Sequence, residues 1–205
     1  MRKRRLLSVL GAAVVAAGLF AGCSSSSTES KAVETITVTD RNGEVEVPKN
    51  PEKVVVLDLG SLDILDEVGI EAAGVPKSNL PEYLSKYNDD KYTDIGGIKE
   101  FNFETINSIE PDLIIIEGRQ ADSYEELSKI APTLYLGSSG ADYYNNLKNN
   151  AEILGKIFDK ESEISEKFST FDARINAINE KVDTGKLVIT KTISGINTKE
   201  VKSAI

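Results

Sequence analysis

The sequence contains no histidine and no tryptophan, and its single cysteine is Cys23. Without histidine, these 205 residues cannot form a histidine-based metal cluster, a histidine proton relay or a Ser-His-Asp triad. With one cysteine they cannot form an internal disulfide bond. Basic residues are also in the minority, because 24 lysines and arginines stand against 33 aspartates and glutamates and give a net charge of −9. A nucleic-acid partner is therefore not expected, since phosphate binding requires a basic face.

Sequence motifs for nucleotide binding are also missing. Gly60 and the pair Gly96-Gly97 are isolated glycines in the predicted turns. Neither position continues into a phosphate-binding loop or a dinucleotide-binding fingerprint, so nucleotide binding is not expected. The glycine pair instead predicts a point where the backbone bends sharply or approaches another segment closely.

The first 22 residues have the order of a secretory signal peptide. A cationic start at residues 1–5 precedes an apolar run at residues 6–20, and two small residues stand directly before Cys23. The apolar run is too short for a comfortable transmembrane helix. Residues 23–33 contain a serine run and are predicted to form a flexible tether.

Alternating short strands and helices predict an α/β lobe over residues 34–159. A β-hairpin comes first, because apolar and polar residues alternate on either side of the turn Arg41-Asn42-Gly43, and we expect it at an edge of the domain. Apolar segments then alternate with helical segments, which predicts a Rossmann-like parallel sheet with right-handed crossovers. The predicted strands of this sheet are residues 53–57, 72–75, 113–116 and 133–136.

The central predicted strand is followed by a basic residue. Residues 113–116 form a continuous branched apolar run, the pattern of a strand that is buried on both faces. Open α/β sheets bind ligands beyond the carboxyl ends of their strands, so Arg119 is a candidate for binding a small anion. Ser61 and Lys77 follow other strands and are expected to face the same cleft. Each has an ordinary alternative: Arg119 and Lys77 could be solvated loop charges, and Ser61 could simply cap the helix predicted at residues 62–68.

A long helix is predicted after the lobe, at residues 160–182. Its apolar residues recur at spacings of four and three, and the helix would reach about 35 Å, the span of a small domain. These residues are Ile164, Phe168, Phe171, Ile175, Ile178 and Val182. The helix could connect two lobes, or it could be the arm of a coiled-coil dimer. A further strand is predicted at residues 186–190, within a segment 183–205 that would begin a second lobe.

The residues around Cys23 resemble the lipobox of bacterial lipoproteins, because small residues precede the cysteine and a serine run follows it. The resemblance implies cleavage before Cys23 and a lipid on its thiol, which would anchor the protein to the extracytoplasmic face of the cell membrane. Phe20 departs from the leucine that is usual at its position. A secreted protein with an incidental cysteine is the alternative.

Residues 53–182 resemble the substrate-binding lipoproteins of iron(III)-siderophore ABC importers. The most specific part is GRQADSYEELSKIAPTLYLG at residues 118–137, which is similar to members that take up catecholate siderophores of the petrobactin type. The resemblance implies two α/β lobes joined by the long helix, with the ferric siderophore held between them. It further implies a monomeric binding protein rather than an enzyme, with no cofactor and no resident metal, that delivers its ligand to an ABC permease.

Two residues match functional positions of this family. Arg119 matches the first-lobe arginine of the motif, and its implied role is charge-assisted hydrogen bonding to catecholate oxygens. Glu104 matches the glutamate that this lobe presents to an arginine pocket of the permease. An acidic residue in a first helical turn is also favoured by the helix dipole alone, so a purely structural Glu104 is the alternative.

The resemblance ends near Thr190, because residues 191–205 do not align with the expected start of the second lobe. A premature stop or a shifted reading frame would produce such an end, and the second lobe would then be largely missing. Half of the cleft would be missing with it, so we expect weak siderophore binding or none from this chain. The new strand and the apolar side of the long helix would also be exposed.

Other functions are compatible with parts of the sequence. A binder of another iron complex or of cobalamin would share the fold, and an interaction fragment acting through the long helix becomes plausible if the truncation is genuine. Zinc or manganese binding is disfavoured, because histidines are the chief ligands of related sites. A membrane-anchored hydrolase would need two facing carboxylates, whereas acidic pairs such as Asp89 and Asp90 are adjacent and point apart.

Overall fold

The structure is a computed structural model that describes residues 34–138, 140, 142–183, 189–191 and 199–201. The predicted signal peptide, the tether and Cys23 lie outside these residues. Within the described part of the chain, no helix is both long enough and apolar enough to span a membrane.

A β-hairpin opens the described part of the chain. Strands β1 (Thr35–Asp40) and β2 (Gly43–Pro48) pair antiparallel, as the alternating residues predict. The hairpin forms a two-stranded sheet of its own, beside the main sheet rather than within it. The backbone N–H of Tyr135 donates to the Asp40 carboxylate at 2.8 Å instead of to a strand carbonyl, so the main sheet does not continue into the hairpin.

The main sheet consists of five parallel strands. They are β3 (Val54–Val56), β4 (Gly74–Val75), β5 (Thr93–Asp94), β6 (Leu113–Ile116) and β7 (Thr133–Tyr135). Their spatial order is β5-β4-β3-β6-β7, and every neighbouring pair is parallel, which confirms the predicted α/β lobe. The chain first winds outward from β3 to β5 and then returns to place β6 on the other side of β3. The order therefore reverses between β3 and β6, the kind of position where open α/β sheets bind ligands.

The central strand β6 is buried on both faces, as its apolar run predicts. All four of its residues are 0% exposed. Leu113 and Ile115 pack into the core on one side of the sheet, and Ile114 and Ile116 pack into the core on the other. Each such side chain contributes about 1.5–3 kcal/mol through burial, so β6 anchors both layers of the lobe.

Five α-helices occur among the described residues. They are α1 (Leu59–Glu67), α2 (Phe103–Ile109), α3 (Tyr124–Leu127), α4 (Tyr143–Phe158) and α5 (Glu161–Asp183). Short 3₁₀-helical turns lie at Lys77–Asn79, Glu82–Asn88 and Gly118–Ser123. Helices α1 and α4 contribute to the core on one face of the sheet, and α2 and α3 contribute to the core on the other.

The start of α1 corrects one prediction. Ser61 is not the N-cap, because the helix begins at Leu59, three residues before the predicted start, and Asp58 caps it. The Asp58 carboxylate accepts from the backbone N–H groups of Gly60 and Ser61 at 3.0 and 3.1 Å. A carboxylate satisfies these first-turn donors and also interacts favourably with the helix dipole, so it displaces the serine hydroxyl from the capping role.

The apolar stripe of α5 is buried at its N-terminal end and exposed at its C-terminal end. Ile164 and Phe168 are 3% and 7% exposed and pack against Val68 and Ala151. The other members of the stripe are 40% to 53% exposed, namely Phe171, Ile175, Ile178 and Val182. The exposed apolar face that the sequence predicts is therefore present over the second half of the helix.

Two further strands follow α5. Strands β8 (Ile189–Lys191) and β9 (Lys199–Val201) pair antiparallel with each other in a separate sheet. Strand β8 overlaps the strand predicted at residues 186–190, of which residues 186–188 lie outside the described part of the chain.

Candidate functional site

The carboxyl ends of the five parallel strands lie at one edge of the main sheet. The chain leaves β3 through Leu57 and Asp58 and leaves β6 through Glu117 and Gly118. The N–H of Leu57 still donates to the carbonyl of Ile115 at 2.8 Å, so the two strands remain paired up to this edge. The crevice between their exits is the position where this architecture offers a ligand site.

Arg119 lies at this edge, in the 3₁₀-helical turn that follows β6. Its side chain is 54% exposed and donates to the carboxylate of Glu117, whose side chain is 20% exposed. The guanidinium is therefore accessible from solvent and is held next to the crevice. The structure places Arg119 where the sequence predicts an anion contact, and its role as a ligand residue stays a prediction.

A buried glutamine next to Arg119 joins two loops of the edge. Gln120 is 1% exposed, its side-chain amide donates to the carbonyl of Ile98, and its side-chain oxygen accepts from the N–H of Glu117 at 3.0 Å. Ile98 belongs to the loop after β5. In the sheet, strands β4 and β3 lie between β5 and β6. The Gln120–Ile98 contact therefore crosses the carboxyl ends of β3 and β4.

The loop after β5 is a tight turn that carries Lys99. Gly96 has a φ of 98°, and a side chain at this position would come within 2.6 Å of the carbonyl oxygen of Glu100. The sharp bend predicted at the glycine pair is thus confirmed. Lys99 is exposed and directly follows Ile98, so it is a second cation of this edge. Sequence reasoning missed Lys99, although the glycine pair just before it already indicated an unusual loop.

A third cation approaches the same edge from the hairpin. The backbone N–H of Arg41 donates to the carbonyl of Tyr135 at 3.1 Å, which fixes the hairpin turn at the carboxyl end of β7. A Cβ atom at Gly137 would lie 3.8 Å from Cδ of Arg41 and 3.7 Å from the backbone nitrogen of Gly118. Arg41 therefore lies beside the loop that carries Arg119. Local sequence patterns could not show this, because the two arginines are distant in sequence.

Lys77 follows β4 at the same edge, but its ammonium group is engaged by its own loop. It donates to the carbonyl oxygens of Asn88 and Asp89 at 3.3 and 2.9 Å, at the end of the 3₁₀-helical turn Glu82–Asn88. The last carbonyls of a helical turn need such partners from outside the turn. The geometry therefore favours a structural role for Lys77, and its predicted ligand role stays a prediction.

Ser61 is buried at the start of α1, just after β3. Its side chain is 1% exposed, and its hydroxyl donates to the carboxylate of Asp58 at 2.6 Å. The geometry favours a structural role for Ser61, because Asp58 engages its hydroxyl, and its predicted ligand role stays a prediction. Ser61 helps to fix the carboxylate that caps α1.

Glu104 is exposed in the first turn of α2. Its carboxylate therefore interacts favourably with the N-terminal end of the helix dipole and remains accessible to a partner. Its predicted role in docking to a permease stays a prediction.

A cavity of about 810 Å³ lies between α1 and α5, but its charges do not suit an anionic ligand. Its charged lining residues are Asp63, Glu67, Glu163, Glu166, Lys167 and Arg174. Burial, together with the nearby Glu67 carboxylate, raises the pKa of Asp63, and Lys167 is already paired with Glu67 at 2.6 Å. Across the described residues, no group of three or more His, Cys, Asp or Glu side chains is placed to hold a metal ion. The cationic edge of the main sheet is therefore the better candidate site for an anion.

Comparison with known proteins identifies the relatives of this chain. Residues 54–198 match the periplasmic binding protein family. Over 201 residues the chain is 47% identical to the petrobactin-binding protein YclQ of Bacillus subtilis, an alignment that covers 92% of this chain and 62% of the relative. The chain thus spans less than two thirds of the length of that relative.

Solved structures of similar proteins share the fold described above. The crystal structure of the petrobactin-binding protein YclQ from Bacillus subtilis matches with a TM-score of 0.71 and 48% identity, over 74% of this chain and 54% of that one. The periplasmic catecholate-siderophore binding protein VctP from Vibrio cholerae matches with a TM-score of 0.67 and 35% identity, over 82% of this chain and 61% of that one. The resemblance noted in the sequence is confirmed at the level of the family, and the chain belongs to the periplasmic binding protein family.

Proposed function

We propose that the chain is the substrate-binding component of an ABC importer, which captures a ferric siderophore of the catecholate type outside the membrane and delivers it to the permease. The main structural support for this proposal is the set of cations at the carboxyl edge of the main sheet. These cations are Arg41, Lys99 and Arg119, and they belong to three different loops. The names of the relatives, one a petrobactin-binding protein and one a catecholate-siderophore binding protein, support the class of ligand.

A ferric catecholate suits this edge because the complex is an anion. The negative charges of its catecholate oxygens exceed the positive charge of Fe³⁺, so the bound oxygens remain strong hydrogen-bond acceptors. The planar guanidinium of Arg119 can donate two charge-assisted hydrogen bonds to neighbouring oxygens. Lys99 and Arg41 add positive charge around the same crevice in a chain whose net charge is −9.

We assign supporting roles to Ser61 and Lys77. Ser61 fixes the Asp58 carboxylate, and Lys77 holds the end of a 3₁₀-helical turn, so both keep loops of the edge in position. Binding and release of a chelate require no chemical step. The proposal therefore names no catalytic residue, no cofactor and no resident metal, and it treats the chain as a monomeric binding protein.

Two further residues would connect the chain to the membrane. We propose that the exposed Glu104 contacts a basic pocket of the permease and that Cys23 carries the lipid that anchors the chain on the extracytoplasmic face. Glu104→Gln should then leave siderophore binding unchanged and impair uptake by cells. Cys23→Ser should release the chain from the membrane fraction.

Equilibrium dialysis of the purified chain tests the proposal. The probes are a ferric triscatecholate, a neutral ferric trihydroxamate of similar size and cobalamin, each measured by its absorbance on both sides of the dialysis membrane. We expect weak but saturable binding of the triscatecholate, reduced further by added salt because screening lowers the attraction between exposed charges. Equal binding of the trihydroxamate or preferred binding of cobalamin would favour the alternative ligands. No saturable binding of the triscatecholate would refute the proposed ligand class.

A further inference from the structure

The guanidinium of Arg119 already has an anionic partner, the carboxylate of Glu117 two residues earlier in the chain. We propose that Glu117 is an internal competitor for the anion site, so that an anionic ligand must displace it from Arg119. Glu117 would thus lower the affinity of this edge of the sheet for its anionic ligand. This inference rests on the proposed function of the same edge.

The position of Glu117 makes it a persistent competitor rather than a chance surface contact. Its backbone directly follows the buried strand β6, and its N–H donates to the buried side chain of Gln120 at 3.0 Å. The backbone that carries the carboxylate is therefore fixed on the rigid part of the lobe. Its side chain is also less exposed than that of Arg119, at 20% against 54%. The carboxylate is therefore the more buried partner of the pair.

The strength of this pair sets the size of the expected effect. Ion pairs near the protein surface contribute little, so displacing Glu117 should weaken ligand binding by about threefold to tenfold and not abolish it. The displaced carboxylate would also remain close to the bound anion. Its negative charge repels a bound anion, and this repulsion adds to the cost of displacement.

Substitution of Glu117 by glutamine distinguishes competition between Glu117 and the ligand from simple positioning of Arg119 by Glu117. Glutamine keeps the length of the side chain and its ability to accept a hydrogen bond from Arg119, but it removes the charge. If Glu117 competes with the ligand, Glu117→Gln should tighten the binding of a ferric triscatecholate by about threefold to tenfold. If Glu117 only orients Arg119, the same substitution should weaken binding or leave it unchanged. A gain in affinity cannot result from misfolding of the variant.

The experiment compares the parent chain with Glu117→Gln, Arg119→Ala and the double variant by equilibrium dialysis against a ferric triscatecholate. Glu166→Gln is the matched control, because it removes one exposed negative charge from α5. We expect tighter binding by Glu117→Gln alone, unchanged binding by the control, and a smaller gain when Glu117→Gln is added to Arg119→Ala. Unchanged or weaker binding by Glu117→Gln, with Arg119→Ala still impaired, would overturn the inference and leave the proposed function intact. Full affinity in Arg119→Ala would instead refute the role of Arg119 and with it the basis of both proposals.

Discussion

The side-chain amide of Gln120 donates a hydrogen bond to the backbone carbonyl of Ile98 and thereby joins the loop after β6 to the loop after β5. These strands are not neighbours, since β3 and β4 lie between them. The contact fixes Lys99, which follows Ile98, and Arg119, which precedes Gln120, at the same edge of the sheet. A single buried side chain thus organises two of the three cations of the candidate site.

Gln120→Met should reduce the free energy of unfolding by about 1–3 kcal/mol, because it leaves the carbonyl of Ile98 and the N–H of Glu117 without their hydrogen-bond partner. Urea denaturation followed by far-ultraviolet circular dichroism measures this change. Ser108→Ala removes an exposed hydrogen bond on α2 and is the control, with an expected change within about 0.5 kcal/mol. Equal stability of the parent and Gln120→Met would show that the buried contact does not hold the two loops together.

Asp159→Asn should destabilise the chain at neutral pH and have progressively less effect in acid. Hydrogen bonds from Lys49 and Asn50 lower the pKa of Asp159 below its ordinary value of 3.8, so the folded chain favours the charged carboxylate. The stabilisation is therefore present above pH 3.8 and is lost as the pH falls through the lowered pKa. Asparagine tolerates the left-handed backbone at this position, where φ is 54°.

Thermal unfolding of the parent and of Asp159→Asn across a series of pH values measures this dependence. Asp90→Asn, at an exposed position, controls for the loss of one negative charge. A stability difference between the parent and Asp159→Asn that stays constant from neutral pH to well below pH 3.8 would contradict the account, because the Asp159 carboxylate would then contribute no pH-dependent stability.

The two halves of α5 should respond differently to truncation of an isoleucine. Ile164→Ala removes a side chain that is 3% exposed and packed against Val68 and Ala151, and it should cost about 2–4 kcal/mol of unfolding free energy. Ile178→Ala removes the same atoms from a side chain that is 53% exposed, and its cost should stay below about 1 kcal/mol. Chemical denaturation of both variants measures the difference. Similar losses in the two variants would mean that another surface covers the second half of the helix.

Much of the fold could be predicted from local sequence patterns. The apolar run of β6 specifies a strand that is buried on both faces, and the spacing of apolar residues predicted α5 to within one residue at each end. Arg119 could be placed at the carboxyl edge because its loop directly follows β6. In each case the signal is contained in a few consecutive residues, whose pattern does not depend on the rest of the chain.

The parts that could not be predicted depend on contacts between distant segments. Arg41 comes close to the end of β7 only because Asp40 and the Arg41 backbone bond to Tyr135. Ser61 and Lys77 follow strands as predicted, yet Asp58 and two backbone carbonyls engage their polar groups. A sequence pattern shows which loop a side chain belongs to, but not which neighbour engages it.

The affinity of Arg119→Ala for a ferric triscatecholate tests the central claim most directly. Arg174→Ala removes an exposed arginine from α5 and is the matched control. Hydrogen bonds to charged groups contribute about 1.5–3 kcal/mol, so Arg119→Ala should weaken binding by about 10- to 100-fold relative to both the parent and the control. Dissociation constants of Arg119→Ala and Arg174→Ala that agree within about twofold would contradict the claim that the carboxyl edge of the main sheet binds the anion.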